Sequence, residues 1–119
     1  MSKAKAKATV TQKAYWSSVI LEYVDAQPND YAKSRSAYNL CSFADYELGR
    51  ANAGIADTVS VLTDDNASDI EKMRAERQSE RLHLAATDWQ MQLEAAMEVH
   101  EVFCTNKDYL YKPKNKLAQ

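Results

Sequence analysis

Along the middle of the chain, small or apolar residues return at alternating steps of four and three: Ala37, Cys41, Ala44, Leu48, Ala51, Ile55, Thr58 and Leu62. A helix turns once every 3.6 residues, so this spacing keeps one line of side chains on one face, as in a heptad seam. The same steps return at Ala75, Ser79, Leu82, Ala86, Trp89, Leu93, Ala96, His100 and Phe103. Two long helices facing each other along these seams follow from the pattern alone. Their limits are also written locally. Asn29 or Asp30 caps the second helix after Pro28, "TDDNAS" makes a turn, and "SDIE" at 68–71 has the spacing of a capping box that opens the third helix. The predicted spans are about 30–62 and 69–105. Gly54 interrupts the first seam with a residue that costs about 1 kcal/mol in a helix interior, and the β-branched "DTVSVLT" follows. A break at Gly54 with a shorter helix beyond it is the competing reading; the unbroken spacing favours continuity.

A first helix is predicted over about 10–26. "TVTQ" at 9–12 has capping-box spacing, and Pro28 ends the helix because it donates no backbone hydrogen bond and restricts the residue before it. Val10, Ala14, Ser17, Leu21 and Val24 form its line of contact. Trp16, Val19, Ile20 and Tyr23 widen that stripe until the helix is nearly apolar all round, which predicts that it is well covered.

Length decides how these pieces assemble. At 1.5 Å per residue the third helix spans roughly 55 Å and the first roughly 27 Å, so the first can cover only part of a hairpin made by the other two. The predicted fold is all-α: a small helical bundle built on a long antiparallel hairpin, with the shorter N-terminal helix packed on the end near residues 30–48 and 85–105. The other end is left as a two-helix arm. That arm carries Ile55, Val59, Val61, Leu62, Ile70 and Met73, more apolar groups than a surface leaves wet without a reason.

Composition supports this plan. Two glycines and two prolines in 119 residues leave little material for turns, and the chain is long enough for one domain but not for a deep cleft plus a second domain. No apolar run approaches the roughly 18–20 residues of a membrane span, and "MSKAKAKATV" lacks the apolar core of a signal peptide. The expected location is the cytoplasm or the inside of an assembled particle, without secretion. Charge changes the picture more. Residues 1–13 hold four lysines and no acid, residues 14–105 hold seven bases against sixteen acids, and residues 106–119 hold four lysines against Asp108. Lysine-rich tails, 1–8 and 106–119, therefore flank an acidic body.

Several chemistries are weighed against this background. "AMEVHEVFC" at 96–104 gathers a histidine, two glutamates and a cysteine, but His100 falls on the inner seam, facing the neighbourhood of Tyr31, and reads as a core histidine with a hydrogen-bond partner. "ERLH" at 80–83 is a lone Glu-x-x-His, and a di-iron bundle requires a second such pair and further inward carboxylates. A single-metal site from Glu47, Glu80 and His83 is the remaining metal geometry, weaker than an ordinary polar face of mixed-sign helix pairs. Cys41 and Cys104 should lie about 14 residues, or roughly 20 Å, apart along the hairpin, which keeps them from pairing. Neither has a C-x-x-C neighbour. With no glycine-rich phosphate loop, G-x-S-x-G elbow or H-E-x-x-H, no catalytic residue, metal or cofactor is assigned.

The expectation is a non-catalytic protein that works by binding protein: a subunit, adaptor or accessory piece of a larger assembly, self-associating or engaging a partner. Its proposed contacts are Ile55, Val59, Leu62, Ile70 and Met73 on the arm, together with Lys3, Lys5, Lys7, Tyr109, Tyr111, Lys112, Lys114 and Lys116 in the tails. A viral or mobile-element accessory protein, including an inhibitor of a host complex, fits the same description. The alternative is a nucleic-acid-binding or packaging component, with tail lysines on phosphates and tyrosines stacked on bases. No membrane partner is expected.

Overall fold

The computed structural model describes the backbone of residues 3–117 and the side chains of residues 12–117. It contains three α-helices, α1 (Lys3–Asp25), α2 (Asp30–Leu62) and α3 (Asp69–Phe103), followed by a short 3-10 turn at Lys107–Tyr109. α2 and α3 pack along their length as an antiparallel hairpin, with α1 laid on one end. The long dimension is 57 Å, close to the roughly 52 Å rise of a 35-residue helix.

The predicted seams are the observed ones. Ala37, Cys41, Ala44, Leu48, Ala51, Ile55 and Thr58 of α2 are all buried, as are Ala75, Ala86, Leu93, Ala96 and His100 of α3, with Leu82, Trp89 and Phe103 partly buried against them. α2 runs through Gly54 without a break, and neither glycine takes a positive φ. The glycine is there for room. A Cβ at position 54 would stand 2.8 Å from Leu82 Cδ1, so its absence lets the two helix backbones approach.

The caps behave as the sequence indicates. Asn29 accepts from the Ala32 N–H, and Ser68 and Glu71 close a reciprocal capping box. Such a cap is worth about 1 kcal/mol relative to alanine. Both cysteines are buried and free; burial pushes the Cys41 thiol up to about 12, which removes it as a nucleophile at neutral pH. Among the described residues, no helix is long and apolar enough to cross a membrane.

Two expectations need correction. α1 begins at Lys3 rather than near residue 10, so "TVTQ" lies inside the helix; the alternating alanines and lysines before it are strong helix formers that require no cap at Thr9. The contact line of α1 is also rotated. Ile20 and Val24 are buried with Trp16 beside them, whereas Leu21 and Tyr23 are 45% and 54% exposed. The cause is the crossing: Lys13 meets Glu94 and Glu98 of α3 while Trp16, one turn on, donates to Asp88 at 3.1 Å. A helix that crosses its partner instead of running along it covers only one narrow stripe. His100 lies on the inner seam as expected: it lines one pocket with Tyr31 and stacks edge-on against Tyr38, with ring centroids 5.6 Å apart.

Candidate functional site

The arm holds most of the proposed contact residues but does not present them equally. Val59, Ile70 and Met73 are 50%, 58% and 48% exposed, and Leu62 is half-buried. Ile55 is only 6% exposed, packed in the hairpin interior, and is therefore unavailable to a partner without opening the helices. Its place on the seam, three residues before Thr58 and four after Ala51, already predicted an inward position. Lys3, Lys5 and Lys7 lie on the helical backbone of α1, and their side chains lie outside the described residues.

The C-terminal segment differs most from the free tail that its lysines imply. After the short turn, the chain folds back and docks along α2 as a strap. Asp45, 1% exposed, is the anchor. Its carboxylate accepts from the Tyr111 hydroxyl, from the Lys114 backbone N–H at 2.7 Å, and from the Asn115 backbone N–H and side-chain amide, both at 3.0 Å. The Asn115 amide also donates to the Asp45 carbonyl at 3.1 Å, and two turns further along the helix Asn52 donates to the Lys116 carbonyl at 2.7 Å.

Gly49 makes this docking possible: a Cβ there would lie 2.8 Å from Asn115 Nδ2. Burial by itself would raise the Asp45 carboxyl, but the donors from Tyr111, Lys114 and Asn115 outweigh it and hold the group below its ordinary value of 3.8. Burial, then the bond to Asp45, pushes the Tyr111 hydroxyl well above its ordinary value.

Of the tail residues singled out from sequence, Tyr111 is thus half-buried structure, while Tyr109, Lys112, Lys114 and Lys116 point outward from a docked backbone. Asp45, Gly49, Asn52 and Asn115 were missed by sequence reasoning. The available signal was Asp45 itself, an acid one step from the α2 seam and next to the buried Ala44.

A pocket lies at the hairpin end, beside the segment that leads into the strap. It measures about 770 Å³ and lies between the start of α2, the end of α3 and the 104–110 segment. Its aromatic lining is Tyr31, Tyr38, Phe103 and Tyr109; its polar lining includes Asp30, Ser34, Arg35, Asn106 and Asp108. His100 sits at the back, 2% exposed. Its Nε2–H donates to the Tyr109 carbonyl at 3.3 Å, and Nδ1 has no partner among the described residues. A smaller apolar groove lies between α1 and α2, walled by Val19, Tyr23, Leu40 and Phe43, with Phe43 edge-on to Trp89.

The metal geometry weighed from sequence is not assembled. His83 Nδ1–H donates to the Ser79 carbonyl at 2.8 Å, Glu47 meets Arg50 at 3.4 Å, and among the described residues no three His, Cys, Asp or Glu side chains gather as metal ligands would. The chain matches no protein-family model, no curated protein and no solved structure.

Proposed function

We propose that the protein is a non-catalytic, protein-binding helical subunit or adaptor, with the two-helix arm as a main contact surface. The observation that carries the reading is the exposure of Val59, Ile70 and Met73 on a stretch of hairpin that neither α1 nor the strap covers. A bundle designed only to fold would bury such side chains or replace them with polar ones, since each gains about 1.5–3 kcal/mol from full burial. Rigidity adds to the case: the helices are continuous and capped, so a partner meets a surface already formed, with little ordering cost on this side.

Light scattering after size exclusion tests this reading, comparing the wild-type chain with one carrying both Leu62→Asp and Met73→Asp, at low and high salt and with absorbance at 260 and 280 nm. The expected result is a nucleic-acid-free oligomer for the wild type and a helical monomer for the variant. An oligomer of unchanged size in the variant would remove the arm as an interface. Co-purified nucleic acid released by salt would transfer the function to the exposed Lys112, Lys114 and Lys116.

A further inference from the structure

The pocket at the hairpin end has a composition that the arm lacks. Tyr31 and Tyr109 are 76% and 71% exposed, and Tyr38 is 40% exposed, so three tyrosine rings stand at one opening beside Ser34 and Asn106. Tyrosine supplies broad contact area at little conformational cost, and serine and asparagine supply adaptable hydrogen bonds; this is the chemistry of protein-recognition surfaces. Electrostatics narrow the ligand. Asp30 and Asp108 line the pocket against the single base Arg35, and among the described residues none of the three is in an ion pair. The wall therefore carries one surplus negative charge.

A cation also suits the rings. Phe103, on the same wall, already has the Lys33 ammonium 5.6 Å from its centroid. The surplus charge and the rings thus ask for the same kind of ligand, a cation with a flat face.

We propose that this pocket recognises an arginine side chain presented by a protein partner, its guanidinium seated among the tyrosine rings and facing the carboxylates of Asp30 and Asp108. A planar guanidinium meets both demands together: it lies flat on a tyrosine face and forks onto a carboxylate. An ammonium is more strongly hydrated and has no plane to stack. The proposal rests on the protein-binding reading but uses a different surface, so the two can fail separately.

The test uses the full chain and three capped tripeptides, Gly-Arg-Gly, Gly-Lys-Gly and Gly-citrulline-Gly, followed through the ring signals of Tyr31, Tyr38 and Tyr109 by NMR. The arginine peptide should produce saturable shifts, and the neutral citrulline peptide should bind at least about fivefold more weakly. Tyr31→Ala and Asp108→Asn, both at exposed positions, should each weaken the arginine peptide by about two- to fivefold. The Leu62→Asp, Met73→Asp variant should bind it unchanged. No saturable shift up to about 20 mM peptide, equal binding of the arginine and citrulline peptides, or equal binding of the lysine peptide would overturn the assignment. So would full affinity in both pocket variants.

Discussion

Where α1 crosses the hairpin, Val24, Leu48 and Leu93 are at most 1% exposed; on the arm, Val59, Ile70 and Met73 are about half exposed. The two regions share the same pair of helices and the same four-three seam. What differs is the layer laid over them. At the covered end, α1 and the strap bring Trp16, Ile20, Val24 and Tyr111 against the hairpin, and large side chains can be buried from several sides. On the arm only the seam itself is dry, filled by Ile55, Thr58 and Ala75 with Leu82 lying over Gly54. Burial is therefore concentrated at one end, and the other end keeps Val59, Ile70 and Met73 at the surface. The strap matters to this contrast because it is the part of the covering layer held by a single buried charge.

The largest expected effect comes from removing that charge. In Asp45→Ala the Tyr111 hydroxyl and two strap N–H groups lose their acceptor, and the docked segment should release, costing about 3 kcal/mol in a urea denaturation midpoint. Leu62→Asp with Met73→Asp, both changes on the arm, should cost less than that, because both side chains are already partly open to water. Similar losses in the two variants would erase the distinction between a stabilising end and a binding end.

Acid should reach the covered end first. The folded state holds the proton on Asp45 less tightly than the unfolded chain does, since its carboxyl lies below 3.8, so stability contributed by this group falls as pH falls. The contribution is whole above about pH 5, declines as pH passes the unfolded value of about 4, and is gone below the native value. Thermal midpoints measured from pH 6 down to pH 3 should thus converge for the wild-type chain and Asp45→Asn, the wild type losing more. Parallel curves would mean that Asp45 is not the acid-sensitive anchor.

The hairpin was legible because its signal is local and repeated. Each of the α2 seam positions from Ala37 to Thr58 is buried, and Ser68 with Glu71 forms the box that their spacing announces. α1 was legible as a helix but not in its rotation, since an almost wholly apolar helix has no unique contact face until its crossing angle is known. The strap was not legible at all. Its contacts join residues 64 to 70 positions apart through backbone N–H groups, which every sequence possesses. Lysines 112, 114 and 116 gave the segment the look of a solvated tail while its bonding is carried by Tyr111, Asn115 and the main chain between them. The pocket takes one wall from residues 104–110, whose path no seam spacing specifies, so it was hidden as well.

The two glycines give the smallest effects and the sharpest contrast. Either one replaced by alanine should gain about 1 kcal/mol in helix propensity, so any difference between them must come from what the new methyl meets. At position 54 that is Leu82 Cδ1 at 2.8 Å, the end of a half-buried flexible side chain that can turn aside. Gly54→Ala should be neutral or stabilising by up to about 1 kcal/mol. At position 49 the methyl meets Asn115 Nδ2 at 2.8 Å and Oδ1 at 2.9 Å, and that amide is already bonded to both the carbonyl and the carboxylate of Asp45. Moving it breaks those bonds, so Gly49→Ala should lose about 1 kcal/mol net and expose Lys114 and Lys116 to trypsin. Opposite signs in the urea midpoints, with faster cleavage only at the strap, would place the second glycine in helix packing and the first in strap docking. The same sign and equal cleavage would mean that the strap yields to the methyl as easily as Leu82 does, and is then a loose cover instead of a latch.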